Sequence, residues 1–270
     1  MKLKYLNIKK KMFTHTITCA ILVKQKETCL PFWLEMFTNI DYPKKLMHLY
    51  IRANNCTDNS IQILKDFVKK YQYLYASIYE NYSDVDQQIE KYGVHEWNPI
   101  RFKILGQIRE NSINHAINLN TDYYFVCDVD NFIHPYTLNH LINVNVDVIS
   151  PMLLYARYDT YPDNTHPLYS NFHEQIDNNG YYKESSQYHD LLSRRICGIV
   201  QVPVVHCTYL LSKRILSKVK YIDNTNDYEY VIFSRNMRKL GIKQYLDNRF
   251  NYGVLTLTEN INAIKESFIV

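Results

Sequence analysis

The run Tyr123-Tyr124-Phe125-Val126-Cys127, five apolar residues closed abruptly by Asp128-Val129-Asp130-Asn131, constrains this chain of 270 residues most. A strand that is apolar at every position must be covered on both faces, as a central strand of a parallel sheet is. The sequence before it alternates in a matching way. Residues 17–23 read as a strand. Residues 29–38 read as a helix, with Leu30, Trp33, Leu34 and Phe37 on one face and Thr28 available as cap. Strands follow at 48–53 and 74–79, with a helix at 59–71 between them. A helix over 100–118 leads into the apolar run, and a helix at 135–143 and a strand at 146–149 follow it. This order predicts an α/β fold, a doubly wound and mostly parallel sheet with ligands at the strand C-termini. The polar stretch 81–99 is long for a connection inside a compact domain.

The second half is less regular. Residues 151–193 show no clear period, 200–211 read as one strand bent at Pro203, and a helix at 229–240 and a strand at 243–246 close the fold. No repeat or low-complexity linker divides the chain. The expected organisation is a basic leader over 1–14 followed by one domain over 15–270.

Glycine is scarce and scattered. Gly93, Gly106, Gly180, Gly198, Gly241 and Gly253 form neither G-x-G-x-x-G nor G-x-x-x-x-G-K-[ST], which excludes the two commonest backbone cradles for phosphate. A formal charge of +4 suits a small anionic substrate and makes no case for nucleic acid. The six cysteines include no C-x-x-C pair, and Cys19 and Cys127 fall in buried strands. That usage predicts reduced thiols in a cytoplasmic or cytosol-like compartment. Lys2, Lys4 and Lys9 to Lys11 precede an apolar stretch at 12–23, but Thr14, His15, Thr16 and Thr18 interrupt it. It reads as leader and first strand, without signal peptide or membrane span.

The pair Asp128 and Asp130 carries the chemistry. Two carboxylates one residue apart, closing a central strand, suit Mn²⁺ or Mg²⁺ whose remaining ligands are water and substrate phosphates. Such a cation replaces the missing amide cradle and stabilises a diphosphate leaving group. The competing reading is local: Asp130 and Asn131 cap the helix that begins near Pro135.

A set of colinear segments bears on that choice. Leu30-Pro31, Asp41-Tyr42-Pro43-Lys44, the segment from Asp122 to Asn131 and Pro151-Met152-Leu153 resemble the N-terminal domain of procollagen galactosyltransferases. Tyr169-Ser170-Asn171-Phe172, Gly180-Tyr181-Tyr182 and Val202-Pro203-Val204-Val205-His206 continue the resemblance in the same order, from about residue 15 to 257. The resemblance implies a GT-A fold, a nucleotide-sugar donor, usually a UDP-sugar, and Mn²⁺ held by Asp128 and Asp130.

It also implies roles. Asn54 stands where such enzymes present an acid to the uracil. Asp58 contacts the nucleoside or caps the next helix. Arg109, on the helix before the metal strand, contacts the donor or lies on a solvated face. Arg194 and Arg195 close over the diphosphate or form a solvated basic loop. His206 faces the sugar, serves as a third metal ligand or is a core histidine. An inverting displacement needs a base opposite the departing diphosphate. Glu229 is the first candidate and Asp227 the second, although an acidic first turn also suits the helix dipole. Residues 155–188, among them Tyr169, Asn171 and Tyr181, are expected to wall the acceptor.

The expected activity is therefore metal-dependent, inverting transfer of a hexose (galactose, glucose or N-acetylglucosamine) from a UDP-sugar to a hydroxyl acceptor. Hydroxylysine of a collagen-like protein or a glycan would be such an acceptor. The alternatives are a catalytically silent GT-A module that binds a UDP-sugar or a protein partner, and a haloacid-dehalogenase-type phosphatase. Against the last, the aspartates follow the fourth strand and continue into Asn131-Phe132-Ile133 without a Gly/Thr-rich turn.

Overall fold

The computed structural model describes residues 13–85, 98–156 and 169–269. Most of the basic leader, most of the 81–99 connection and part of the 155–188 acceptor wall lie outside the described residues.

The first half follows the expected alternation. Strand β1 (Ile17–Val23) leads to α1 (Leu30–Thr38), then β2 (Met47–Ala53), α2 (Ser60–Tyr71), β3 (Ser77–Asn81), α3 (Pro99–Leu119) and β4 (Tyr123–Cys127). Next come β5 (Asn131–Ile133), α4 (Thr137–Val144), β6 (Val148–Pro151) and β7 (Leu154–Tyr155). The second half carries β8 (Phe172–His173), β9 (Gln175–Ile176), β10 (Tyr182–Lys183), α5 (Ser186–Leu192), β11 (Ile199–Val202), β12 (Val204–Val205) and β13 (Thr208–Ser212). It closes with α6 (Glu229–Lys239), β14 (Gln244–Asp247), β15 (Gly253–Leu255) and α7 (Ile261–Ile269).

The central sheet has eight strands in the order β11-β14-β6-β13-β4-β1-β2-β3. Strands β3, β2, β1 and β4 run parallel, and so do β6 and β14. Antiparallel β13 sits between β4 and β6, and antiparallel β11 edges the sheet beyond β14. The sheet is thus mostly parallel, as the alternation predicts, and every residue of β4 is buried. A second sheet has the order β5-β15-β7, with β15 antiparallel to β5 and parallel to β7.

Local chemistry explains the helices that carry the site. In α1 the residues Leu30, Trp33, Leu34 and Phe37 all face the core, and Trp33 stacks on Phe37 at 5.0 Å, an i, i+4 contact. Helix α3 opens on Asn98, whose side chain accepts from the amides of Ile100 and Arg101, with Pro99 where no amide is needed. It stops at Asn120 in the left-handed region. Gly106 lets α3 approach the backbone of Tyr221, since a Cβ there would lie 2.7 Å from the Tyr221 carbonyl oxygen.

Two readings are corrected. Residues 200–211 form three strands: Pro203 offers no amide, and Cys207 turns the chain at φ 61°. Strand β12 therefore pairs with β8 while β13 returns to the central sheet. Asp130 and Asn131 also do not cap a helix. Asn131 begins β5, and α4 starts at Thr137 without a side-chain cap.

Candidate active site

The aspartates stand at the C-terminal end of β4, where a parallel strand delivers its functional groups to a crevice. Backbone bonds fix the turn: the Asp128 amide donates to Cys207 O at 3.0 Å, and the Asn131 amide donates back to Asp128 O at 2.9 Å. Trp33 Nε1 donates to that same oxygen at 3.1 Å, and the Thr256 amide donates to Asp130 O at 3.0 Å. Helix α1, the residue before β13 and the segment after β15 thus all hold the turn.

Arg109 on α3 joins the first aspartate to the candidate base. Its Nη2 reaches both Asp128 carboxylate oxygens, at 3.1 and 2.9 Å, and its Nε reaches Glu229 Oε1 at 3.3 Å. The Arg109 and Glu229 side chains are 3% and 6% exposed, whereas Asp128 is 23% exposed and opens to solvent. Arg109 Nη1 is buried without a partner. Burial raises the pKa of Asp128; Arg109 opposes this, and the Asp130 charge adds to it. Glu229 is likewise raised by burial, against the pull of Arg109. Arg109 is therefore not on a solvated face, and Glu229 opens α6 from a buried position.

Asp130 has its own cation. Lys26, in the loop after β1, places Nζ 3.2 Å from Asp130 Oδ2 and 2.6 Å from Glu259 Oε1. Burial lowers the Lys26 pKa, but the two carboxylates outweigh it and the ammonium stays charged. Sequence reading missed Lys26 and Glu259. The one available signal was that Lys26 follows β1 at its C-terminal end, where ligands bind.

Other expected residues separate into groups. Asn54, buried at the end of β2, donates from Nδ2 to Asn55 Oδ1 at 3.1 Å. Asp58 accepts from the amides of Glu27 and Ser60, so it ties the loops after β1 and β2 together. His206 is buried with Nδ1 2.9 Å from Cys207 Sγ and Nε2 unpartnered. Its ring packs among Tyr169, His173 and Tyr230. Burial first, then the charges of His173 and Arg109, holds it well below the usual histidine range.

Asp227 accepts from Tyr181 Oη and Arg235 Nη1, each at 2.7 Å. Burial pushes its pKa up, yet these bonds prevail and hold it below the ordinary carboxylate value. Asn171 is fully buried and spends its amide on Leu153 N, Ser150 Oγ and Pro151 O, which makes it a brace behind the site. Arg194 Nη2 donates to Phe250 O, and Arg195 pairs with Asp190. The structure thus joins Arg109, Asp128 and Glu229 in one cluster and Lys26, Asp130 and Glu259 in the next.

The donor set can be compared with the needs of a cation. Among the described residues no three of His, Cys, Asp or Glu gather into a metal cage. Two solvent-reaching carboxylates, joined by water and substrate oxygens, nevertheless fit Mg²⁺ or Mn²⁺, which are often held by one or two protein carboxylates.

The family model for glycosyltransferase family 25, N-terminal domain, matches residues 14–266. The chain belongs to that family. Procollagen galactosyltransferase 2 of Homo sapiens is 30% identical over 251 residues, which is 90% of this chain and 38% of that protein. A glycosyltransferase 25 family member of Anopheles gambiae is 29% identical, over 89% of this chain and 41% of that one. The inactive glycosyltransferase 25 family member 3 of Mus musculus is 24% identical, over 94% and 43%. The chain thus spans about two fifths of the length of these relatives.

Among solved structures, S. aureus TarS 1-349 in complex with UDP-GlcNAc superposes with TM-score 0.54 at 14% identity, covering 90% of this chain and 58% of that one. The mannosyltransferase PcManGT from Pyrobaculum calidifontis, in complex with GDP-Man and Mn²⁺, gives 0.53 at 10% identity, covering 87% and 55%. The fold is GT-A.

The family corrects one expectation. Procollagen, named in the human relative, is a substrate of the secretory route, which overturns the cytosol-like compartment inferred from the cysteines. Cys19, Cys29 and Cys127 are free and buried in the core, where a thiol packs as a small apolar group. Among the described residues no helix is long and apolar enough to cross a membrane.

Proposed function

We propose that this domain transfers a hexose from a UDP-sugar to a hydroxyl acceptor, with inversion and with Mn²⁺ or Mg²⁺ at Asp128 and Asp130. The observation that carries the reading is Arg109, which joins Asp128 at the end of β4 to Glu229 at the head of α6. One guanidinium thereby ties the donor-side carboxylate to the acceptor-side one. When bound, the divalent cation neutralises the diphosphate and eases its departure.

The chain's own residues supply the rest. Asn54 offers an amide to the uracil at the end of β2. Arg109 keeps Asp128 oriented, and its unpartnered Nη1 adds positive potential near the leaving group. The acceptor oxygen forms the new bond at the anomeric carbon as the bond to UDP breaks, and Glu229 takes the hydroxyl proton. Burial raises the Glu229 pKa, which makes it a stronger base than an exposed carboxylate. Asp227 is the weaker candidate because Tyr181 and Arg235 hold its pKa down. Arg194 and Arg195 are left out of diphosphate contact, since each is engaged with Phe250 or Asp190. Galactose and a collagen-like acceptor come first for testing, from the names of the relatives.

Release of UDP from a panel of UDP-sugars with Mn²⁺ tests the reading. Wild type is expected to turn over, Asp130→Ala to lose more than about 100-fold, and Glu229→Gln to bind UDP but fail to transfer. Turnover that persists in Asp130→Ala contradicts the proposal. The second reading, a silent UDP-sugar-binding module, is favoured by the mouse relative named as inactive and by the burial of Glu229. Saturable UDP binding without turnover on any acceptor supports it.

A further inference from the structure

Asp130 pairs with the ammonium of Lys26. Its partner, Lys26, is largely withdrawn from water and anchored from both sides of the backbone. The Lys26 amide donates to Ser60 Oγ at 2.9 Å and its carbonyl accepts from the Leu30 amide at 2.9 Å. The side chain therefore leaves a fixed base and has two carboxylates within reach, Asp130 at 3.2 Å and Glu259 at 2.6 Å.

Glu259 is set in place at a conformational cost. It is not glycine, yet it lies at φ 58°, a region that side chains disfavour. Its amide donates to Thr256 Oγ1 at 2.9 Å, and the Thr256 amide in turn holds Asp130 O. Two hydrogen bonds thus link the second partner of Lys26 to the aspartate itself. Across both clusters, four carboxylates face two cationic side chains, which leaves a formal charge of −2, the complement of one divalent cation.

We propose that Lys26 is the resident counter-ion of Asp130 and that Glu259 is its alternative partner. The ammonium yields the aspartate to an arriving divalent cation and stays paired with Glu259 while the cation is bound. Lys26 and Glu259 are then positioning residues that set cation affinity. This inference rests on the metal-dependent reading of Asp128 and Asp130.

The device has a signature that simple charge addition lacks. Without Lys26 the cation meets no competitor, so Lys26→Met tightens Mn²⁺ binding, by roughly tenfold for one unit charge removed at close range. Without Glu259 the ammonium has only Asp130 left to hold, so Glu259→Gln weakens Mn²⁺ binding several-fold. Because Glu259 acts through Lys26, its substitution changes little in a Lys26→Met background. Mn²⁺ titration by calorimetry on wild type, both single variants and the double variant, without nucleotide and again with saturating UDP, reads all three effects as a double-mutant cycle.

The expected result is tightening, weakening and strong coupling between the sites. Additive effects would reduce the pair to remote charges and overturn the proposal, as would weaker binding in Lys26→Met that Lys26→Arg rescues. Wild type that binds no divalent cation in either condition overturns the metal-dependent reading and this inference with it. Wild type that binds Mn²⁺ while Lys26→Met binds it equally well overturns the inference alone.

Discussion

Arg109 is the residue on which the site depends most. It is almost fully buried and faces two carboxylates. Removing one partner of such a group is costly because the remaining charge stays buried and unpaired. Arg109→Met is therefore expected to lower unfolding stability by about 3 kcal/mol or more, since Glu229 has almost no access to water. Glu229→Gln should cost less, because Asp128 still pairs with the guanidinium. Urea denaturation of both variants measures this, and an Arg109→Met loss below that of Glu229→Gln contradicts it. His173 supplies a pH dependence. Burial, with the Arg238 charge adding to it, lowers its pKa from 6.5 to about 4. The unfolded chain then binds more protons than the native one between these values, so stability falls as pH drops through that window. The full shift is worth on the order of 3 kcal/mol. His173→Phe should flatten the stability slope between pH 6.5 and 4.5, and an unchanged slope in denaturant melts removes His173 as its cause.

At the scale of elements, the reach of sequence reasoning followed the length of each pattern. Strand β4 and helix α3 were legible because five unbroken apolar residues and twenty-one capped helical residues leave few alternatives. With β4 came Asp128 and Asp130, whereas Arg109 was singled out only by the family resemblance. Strands β5, β7 and β15 are two or three residues long, too short for any period to register. The split of 200–211 into β11, β12 and β13 was hidden because a continuous apolar run looks the same whichever sheet each part joins. Lys26 and Glu259 lie 233 positions apart, and no motif relates single charges at that distance. The short strands still matter to the site. Gly253 opens β15 at φ 137°, and a Cβ there would lie 1.9 Å from Phe132 O on β5. Gly253→Ala is expected to part β5 from β15, at about 3 kcal/mol or more, and to loosen the Thr256 bond to Asp130. A lower melting midpoint together with weaker Mn²⁺ binding checks this; a wild-type melting curve refutes it.

For the whole molecule, the arrangement of the sheet divides the work. Parallel strands β2, β1 and β4 present Asn54, Lys26, Asp128 and Asp130 at their C-terminal ends, and Arg109 pairs Glu229, at the head of α6, with Asp128. Glycine-rich phosphate loops are absent from the sequence, and in the proposed function Asp128 and Asp130 with a divalent cation take their place. UDP binding to the intact chain should therefore depend on the cation. The most direct measurement is calorimetric titration of UDP in Mn²⁺ and again in excess chelator. The account predicts saturable binding with Mn²⁺ that weakens at least tenfold in chelator and in Asp130→Ala. Equal affinity with and without the cation, or no UDP binding in either condition, would contradict it.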